Sequence, residues 1–347
     1  MSRHLPRARA GRPLLRRGRD QVQVGLDPES ALVVDGLSDV ASAALLRLDG
    51  STARHDVLLL APELADVLTA LDERGVLEDE PGGTLAAWRR ERLAPDLAAL
   101  ALRSGTSRAA ESVLVRRART AVVVRGTDRA AAQVALGLAA AGVGTVALEG
   151  PDRTTTPADV AAAAPTEAGA SWREQVAEAV RRLGAHPVRV GVRPPALVVV
   201  SAAADADVPW TDPELCDDLL ADGVVHLPVA VAGAAAVVGP TVVPGLTPCL
   251  WCLDLRRRDS DPAWPALADQ LRLRHPSARA HDGVLATAAA ALAVGEVLRV
   301  VDGAGEPVSY GAQLALRAPS TVAREVPVVR HPVCGCGWGE NRERMPA

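Results

Sequence analysis

The chain has 347 residues, of which 48% are hydrophobic and only 2% aromatic, with no phenylalanine and a formal net charge of −4. That length suits two domains, or one large domain with an appendage, whose cores must be built from Val, Leu and Ala with a few Trp anchors. Such a charge gives no global attraction to nucleic acid, and every basic side chain other than histidine is an arginine.

Residues 1–18, crowded with arginines from Arg3 to Arg17, read as a basic flexible tail, with an arm for an acidic partner as the alternative. No apolar segment follows the charges, so the tail is not a secretory signal. Val22, Val24 and Leu26 then alternate with polar residues, Asp27-Pro28-Glu29-Ser30 turns the chain, and Ala31–Val34 returns as a second strand. Three short helices follow. The first is capped near Ser38, the second starts near Ser51, and the third runs from Pro62 to Gly75. Residues 19–80 are thus predicted to form a small winged-helix-like α+β module. Residues 81–118 open on Pro81-Gly82-Gly83 and read as a linker with a charged helix around Trp88.

From Ala121 the character changes. Ala121–Val124 is a buried strand, Ala130–Ala141 a helix and Thr145–Leu148 a second strand, which opens a doubly wound domain over 119–338. Further strands are expected at Ala196–Val200 and within 224–243, with helices near Trp172 and over 212–220. Prolines break the apolar stretch 224–246, and Glu296 and Arg299 interrupt 284–301. Neither is expected to span a membrane. Residues 339–347 read as a second tail.

Cys249-Leu250-Trp251-Cys252 and Cys334-Gly335-Cys336 are two close cysteine pairs. Four thiolates with no open position describe a structural zinc site, expected in a reducing cytoplasm. Trp251 and Trp338 are expected to pack around it. The fifth cysteine, Cys216, lies among Leu215, Leu219 and Leu220 and reads as an inert core thiol.

Residues 119–318 resemble the ThiF/MoeB family, the bacterial relatives of ubiquitin-activating enzymes. The resemblance rests on Ala139-Ala140-Ala141-Gly142-Val143-Gly144, on Thr247-Pro248-Cys249-Leu250-Trp251-Cys252-Leu253 and on the helix from Gly283 to Leu298. Residues 19–80 resemble the PqqD-like peptide-recognition module. The tandem, ending in His331-Pro332-Val333-Cys334-Gly335-Cys336, is similar to the leader-peptide-binding partner of YcaO-type, azoline-forming cyclodehydratases. That resemblance implies a peptide substrate, a separate cyclodehydratase partner and a homodimer. It also implies a peptide groove formed by the edge strand Leu32-Val33-Val34-Asp35 and the third helix, with polar contacts from Arg74 and the face near Asp66.

Active relatives bind ATP on a glycine-rich turn. Here the turn reads Arg125-Gly126-Thr127-Asp128-Arg129, and only Gly126 remains of the glycines. Asp128 is expected to cap the following helix and to repel phosphate. Gly126 and Arg129 are what is left of a nucleotide site, and Arg129 is the candidate phosphate clamp. The relatives' ribose acid falls on Gly150, next to Glu149, and their phosphate-binding lysine is absent. Their magnesium-linked Asp falls near Ala203, with Asp205 and Asp207 close by as loop residues. No cysteine lies between Cys252 and Cys334 to carry a thioester. The expected function is a non-catalytic scaffold that does not use ATP. A divergent adenylyltransferase using Arg129 and Asp205 is one alternative, and a winged-helix nucleic-acid binder is the other.

Overall fold

The computed structural model describes residues 6–8, 12–49, 51–78, 84–161, 164–188, 194–203, 210–273 and 282–336. The chain divides into two compact units, Met1–Val115 and Arg116–Ala347.

In the first unit, β1 (Arg7–Ala8) pairs with β5 (Leu77–Glu78), while β2 (Leu14–Arg16), β3 (Val22–Val24) and β4 (Leu32–Val34) form an antiparallel sheet in that order. Val22 and Val24 point into the core, and Gln23 between them is only half-buried, the alternation that a one-sided sheet imposes. α1 (Asp39–Leu46) starts where expected, because the Ser38 hydroxyl accepts from the Ala41 N–H at 3.1 Å. α2 (Arg54–Leu60) and α3 (Leu64–Glu73) each start two or three residues after the predicted points, and a left-handed Gly75 stops α3. Leu45, Leu64 and Leu68 close this core against the sheet.

Two expectations are corrected here. The basic tail over 1–18 is not wholly tail: Leu14–Arg16 is a strand, held because the main chain pairs with β3 whatever the charge on the side chains. Residues 81–118 are more than a linker. They contain α4 (Ala87–Arg92), α5 (Ala94–Ser104) and α6 (Ser107–Ala118), with a small core of Leu85, Leu93, Leu100, Ala110 and Leu114.

The second unit is an α/β layer structure around a mixed seven-stranded sheet. Its strands are β6 (Ala121–Arg125), β7 (Thr145–Glu149), β8 (Leu197–Ala203), β9 (His226–Ala232), β10 (Ala235–Val238), β11 (Ala312–Arg317) and β12 (Ser320–Pro327). Their order is β12-β11-β10-β9-β8-β6-β7. The four strands β7, β6, β8 and β9 run parallel, and β9 to β12 continue antiparallel. Central strands are apolar on both faces, hence the unbroken Val122-Val123-Val124 and Leu197–Val200 runs. β11 and β12 were not anticipated. β12 is an edge strand and largely exposed, so its sequence lacks the apolar run that marked the others.

Helices cover the sheet: α7 (Arg129–Ala140), α8 (Trp172–Arg182), α9 (Asp217–Ala221), α10 (Leu250–Ser260), α11 (Trp264–Leu273) and α12 (Gly283–Asp302). The stretch 212–220 splits into a 3-10 turn at Pro213–Cys216 and the short α9. α12 is long and apolar enough to cross a membrane, but Leu285, Ala289, Ala293 and Val297 are buried against the sheet and α7, so it is a core helix. At its end Asp302 receives a bidentate fork from Arg117 at 2.8 and 2.6 Å, with both side chains nearly buried.

Candidate functional site

The four cysteines come together. Cys249 precedes the first turn of α10, Cys252 lies within it, and the segment leaving β12 returns Cys334 and Cys336 to the same place. All four Sγ atoms lie within 4.8 Å of one another. The separations are 3.5 Å for Cys252–Cys336, 3.6 Å for Cys249–Cys334 and 3.9 Å for Cys249–Cys252. Sulfurs about 2.3 Å from a tetrahedral ion stand about 3.8 Å apart, so this spacing fits a metal ion. The Cys249 thiol donates to Cys252, which pulls Cys252 down to about 4, while that bond and then burial push Cys249 up. Burial pushes Cys336 up to about 11. Four thiolates this close repel one another unless a cation sits among them.

Neighbouring groups hold the second pair in place. Arg256 of α10 donates to the carbonyls of Val329 and Arg330 at 3.1 and 2.9 Å. His331 is buried and does not replace one of the sulfurs: its Nε2 bonds Asp259 at 2.7 Å and its Nδ1 accepts from the Val333 N–H at 3.3 Å. Arg257 stacks over Trp264 at 5.0 Å. Arg256 and Arg257 are thus committed within the fold, while Arg258 is exposed. Trp251 lines a cleft of about 510 Å³ beside the cysteines and donates to Asp217 at 2.6 Å. Trp338 lies outside the described residues.

The second candidate is the turn after β6, at the point where the parallel strand order reverses and ligands of such sheets bind. Gly126 has a φ of +136°, and a Cβ there would stand 2.5 Å from the Ser201 carbonyl oxygen, so the turn needs glycine. Asp128 caps α7, accepting from the Ala131 N–H at 2.8 Å, as expected. It also accepts from the Ser201 hydroxyl at 2.9 and 2.8 Å. A carboxylate thus stands at the helix end where an anion would bind. Arg153 donates to the Thr127 carbonyl at 3.0 and 2.6 Å and grips Asp159 with two bonds of 2.8 and 2.6 Å. The Arg153 fork holds Asp159 well below the usual carboxylate range. Arg129, the candidate clamp, donates to the Ala158 carbonyl. Glu149 lies 3.7 Å from Arg125, whose main partner is Asp218 at 3.0 Å. Asp205 and Asp207 lie outside the described residues.

No family profile matches the chain, and no curated protein is significantly similar to it. Solved structures are. E. coli MccB with ATP covers 96% of this chain and 99% of its own, at 16% identity and a TM-score of 0.60. The Microcin C7 biosynthetic enzyme MccB in complex with N-formylated MccA has the same coverage and TM-score at 15% identity. The heterocyclase TruD matches 98% of this chain with a TM-score of 0.58 and 18% identity, but over only 44% of TruD. The chain has a ThiF-like fold.

Within this ThiF-like fold the knuckle and the turn are separate places. The knuckle follows β10 and closes on the segment after β12, whereas the turn follows β6. Cys216 is buried beneath Leu219 and Leu250, and burial pushes its thiol up to about 12. Sequence reasoning missed Ser201 and the Arg153–Asp159 pair. Ser201 leaves a signal, a lone hydroxyl at the end of a run of valines. Arg153 leaves none, because its partner carbonyl is set by the turn. In the first unit, Leu32–Val34 is an edge strand, Val33 and Asp35 are exposed, and Arg74 caps α3 with its side chain solvated.

Proposed function

We propose that this chain is a non-catalytic scaffold that binds a precursor (leader) peptide and presents it to a separate YcaO-type cyclodehydratase. The observation that carries this reading is the turn after β6. Its helix end is filled by Asp128, its Thr127 carbonyl by Arg153, and the candidate phosphate ligand Arg129 is turned onto Ala158. A triphosphate entering there would meet a carboxylate already bonded to two donors. The likeness to MccB solved with MccA supports peptide binding, and the 44% coverage of the heterocyclase TruD supports a partner that supplies what this chain lacks. In this reading the chain works in the cytoplasm as a homodimer, and the four cysteines hold one zinc ion as structure rather than chemistry. Zinc supplies a cross-link there; Cys249, Cys252, Cys334 and Cys336 are its ligands.

Titration of the purified protein with Mg-ATP tests the scaffold reading. The expected outcome is no saturable binding up to millimolar nucleotide; micromolar binding, or peptide-stimulated ATP–pyrophosphate exchange, refutes it. The rival is the divergent adenylyltransferase, favoured by the match to MccB solved with ATP. Loss of such binding in Arg129→Ala would establish it.

A further inference from the structure

The open edge of the three-stranded sheet has a chemical preference, which deepens the peptide-binding reading above and rests on it. Backbone bonds fix which groups face outward. The Gly25 N–H donates to the Pro13 carbonyl at 2.9 Å, and the Arg17 N–H to that of Gln21 at 3.0 Å. Antiparallel partners alternate between bonded and non-bonded pairs, so Gln23, opposite Leu15, turns its N–H and C=O toward β2. Val22 and Val24 therefore turn theirs toward β4, onto Val34 and Leu32. The N–H and C=O of Val33 then face away from the sheet, and among the described residues no strand pairs with them. Val33 is 45% exposed.

Charge across this small sheet is lopsided. On the β2 side stand Arg12, Arg16, Arg17 and Arg19; from Asp20 to Glu78 the chain carries twelve acidic residues and three arginines. Of those three, Arg54 is paired with Asp72. Asp35 continues β4 into solvent, and Asp39 opens α1 four residues later. The Ser38 hydroxyl donates to Glu63 at 2.6 Å, which brings the start of α3, with the exposed Asp66, beside them. We infer that the β4 edge takes an extended cationic peptide, with main-chain bonds to Val33 and Lys or Arg side chains against Asp35, Asp39, Glu63 and Asp66. Main-chain pairing supplies affinity and the acidic surround supplies selection. The same surround repels nucleic acid.

The test uses the full chain and two fluorescein-labelled decapeptides, alternating Thr-Lys and alternating Thr-Glu, followed by fluorescence anisotropy at low salt. The Lys peptide is expected to bind at least about tenfold tighter, with an advantage that shrinks as salt rises. Val33→Pro should abolish its binding, and Asp35→Asn with Asp66→Asn should weaken it about fivefold. N-methylation of alternate amides in the Lys peptide should also abolish binding, a result independent of how any variant folds. Equal or tighter binding of the Glu peptide, lost in Val33→Pro, overturns the charge preference while leaving the peptide reading intact. Binding of both peptides without any effect of Val33→Pro or N-methylation, or of neither peptide, removes the β4 edge as a peptide site altogether. A concentration-dependent dimer that Val33→Pro dissolves would mean that a second copy's basic β2 edge occupies β4, which also overturns the inference.

Discussion

With the four cysteines holding zinc as proposed, removing one of them should unlink the two halves of the knuckle, and the cost follows from the loop they close. Cys252 and Cys336 are 84 residues apart with their sulfurs at 3.5 Å. Treated as a cross-link closing that loop, the metal site restricts the unfolded chain by about 4.5 kcal/mol. At about 2–4 °C per kcal/mol for a unit of this size, Cys336→Ser should lower the melting temperature by about 9–18 °C. Differential scanning calorimetry with parallel elemental analysis reads both quantities. Wild type should carry one zinc per chain and Cys336→Ser none. Cys216→Ser should keep its zinc, because Cys216 lies in a different apolar cluster, beneath Leu219 and Leu250. A Cys336→Ser protein that still binds one zinc per chain, or that melts within about 2 °C of wild type, would refute the reasoning.

Three further outcomes are expected. Gly126→Ala forces a Cβ to 2.5 Å from the Ser201 carbonyl at a φ of +136°, so denaturant titration should show a loss of about 2–3 kcal/mol. Arg256→Ala frees the carbonyls of Val329 and Arg330 and should weaken zinc binding about tenfold in a competition assay with a chromogenic chelator. Asp159 has its carboxyl lowered by Arg153, so its contribution to stability is present above the ordinary carboxyl range near about pH 4 and is lost as pH falls below it. Asp159→Asn should lower stability at neutral pH and flatten the decline between about pH 5 and 3, read by urea midpoints across pH.

The sequence showed the ThiF-like core because two faces of burial leave a loud pattern. Val122–Val124 and Leu197–Val200 must be apolar throughout, and Asp128 must cap α7 where it stands. The cysteine pairs were equally plain, since their spacing alone limits what they can grip. The quieter features lie at the edges. β2 is masked by Arg16 and Arg17, and β12 by its exposed polar residues, because an edge strand is held by main-chain bonds that side-chain pattern does not record. The closing of the turn by Arg153 was hidden for a similar reason. Its acceptor is the carbonyl of Thr127, which any residue could have provided.

The knuckle has one more consequence, for integrity after damage. The turn Gly303–Glu306, between α12 and β11, is exposed and lies inside the 84-residue span that Cys252 and Cys336 close. A protease nick there would leave a C-terminal fragment whose β11 still pairs with β10 and whose two cysteines the proposed zinc would still tie to α10. Such a cut protein should run as one species on a native gel and as two once chelator and denaturant are both added. Chelator alone should not separate the fragments, because the β10–β11 pairing remains.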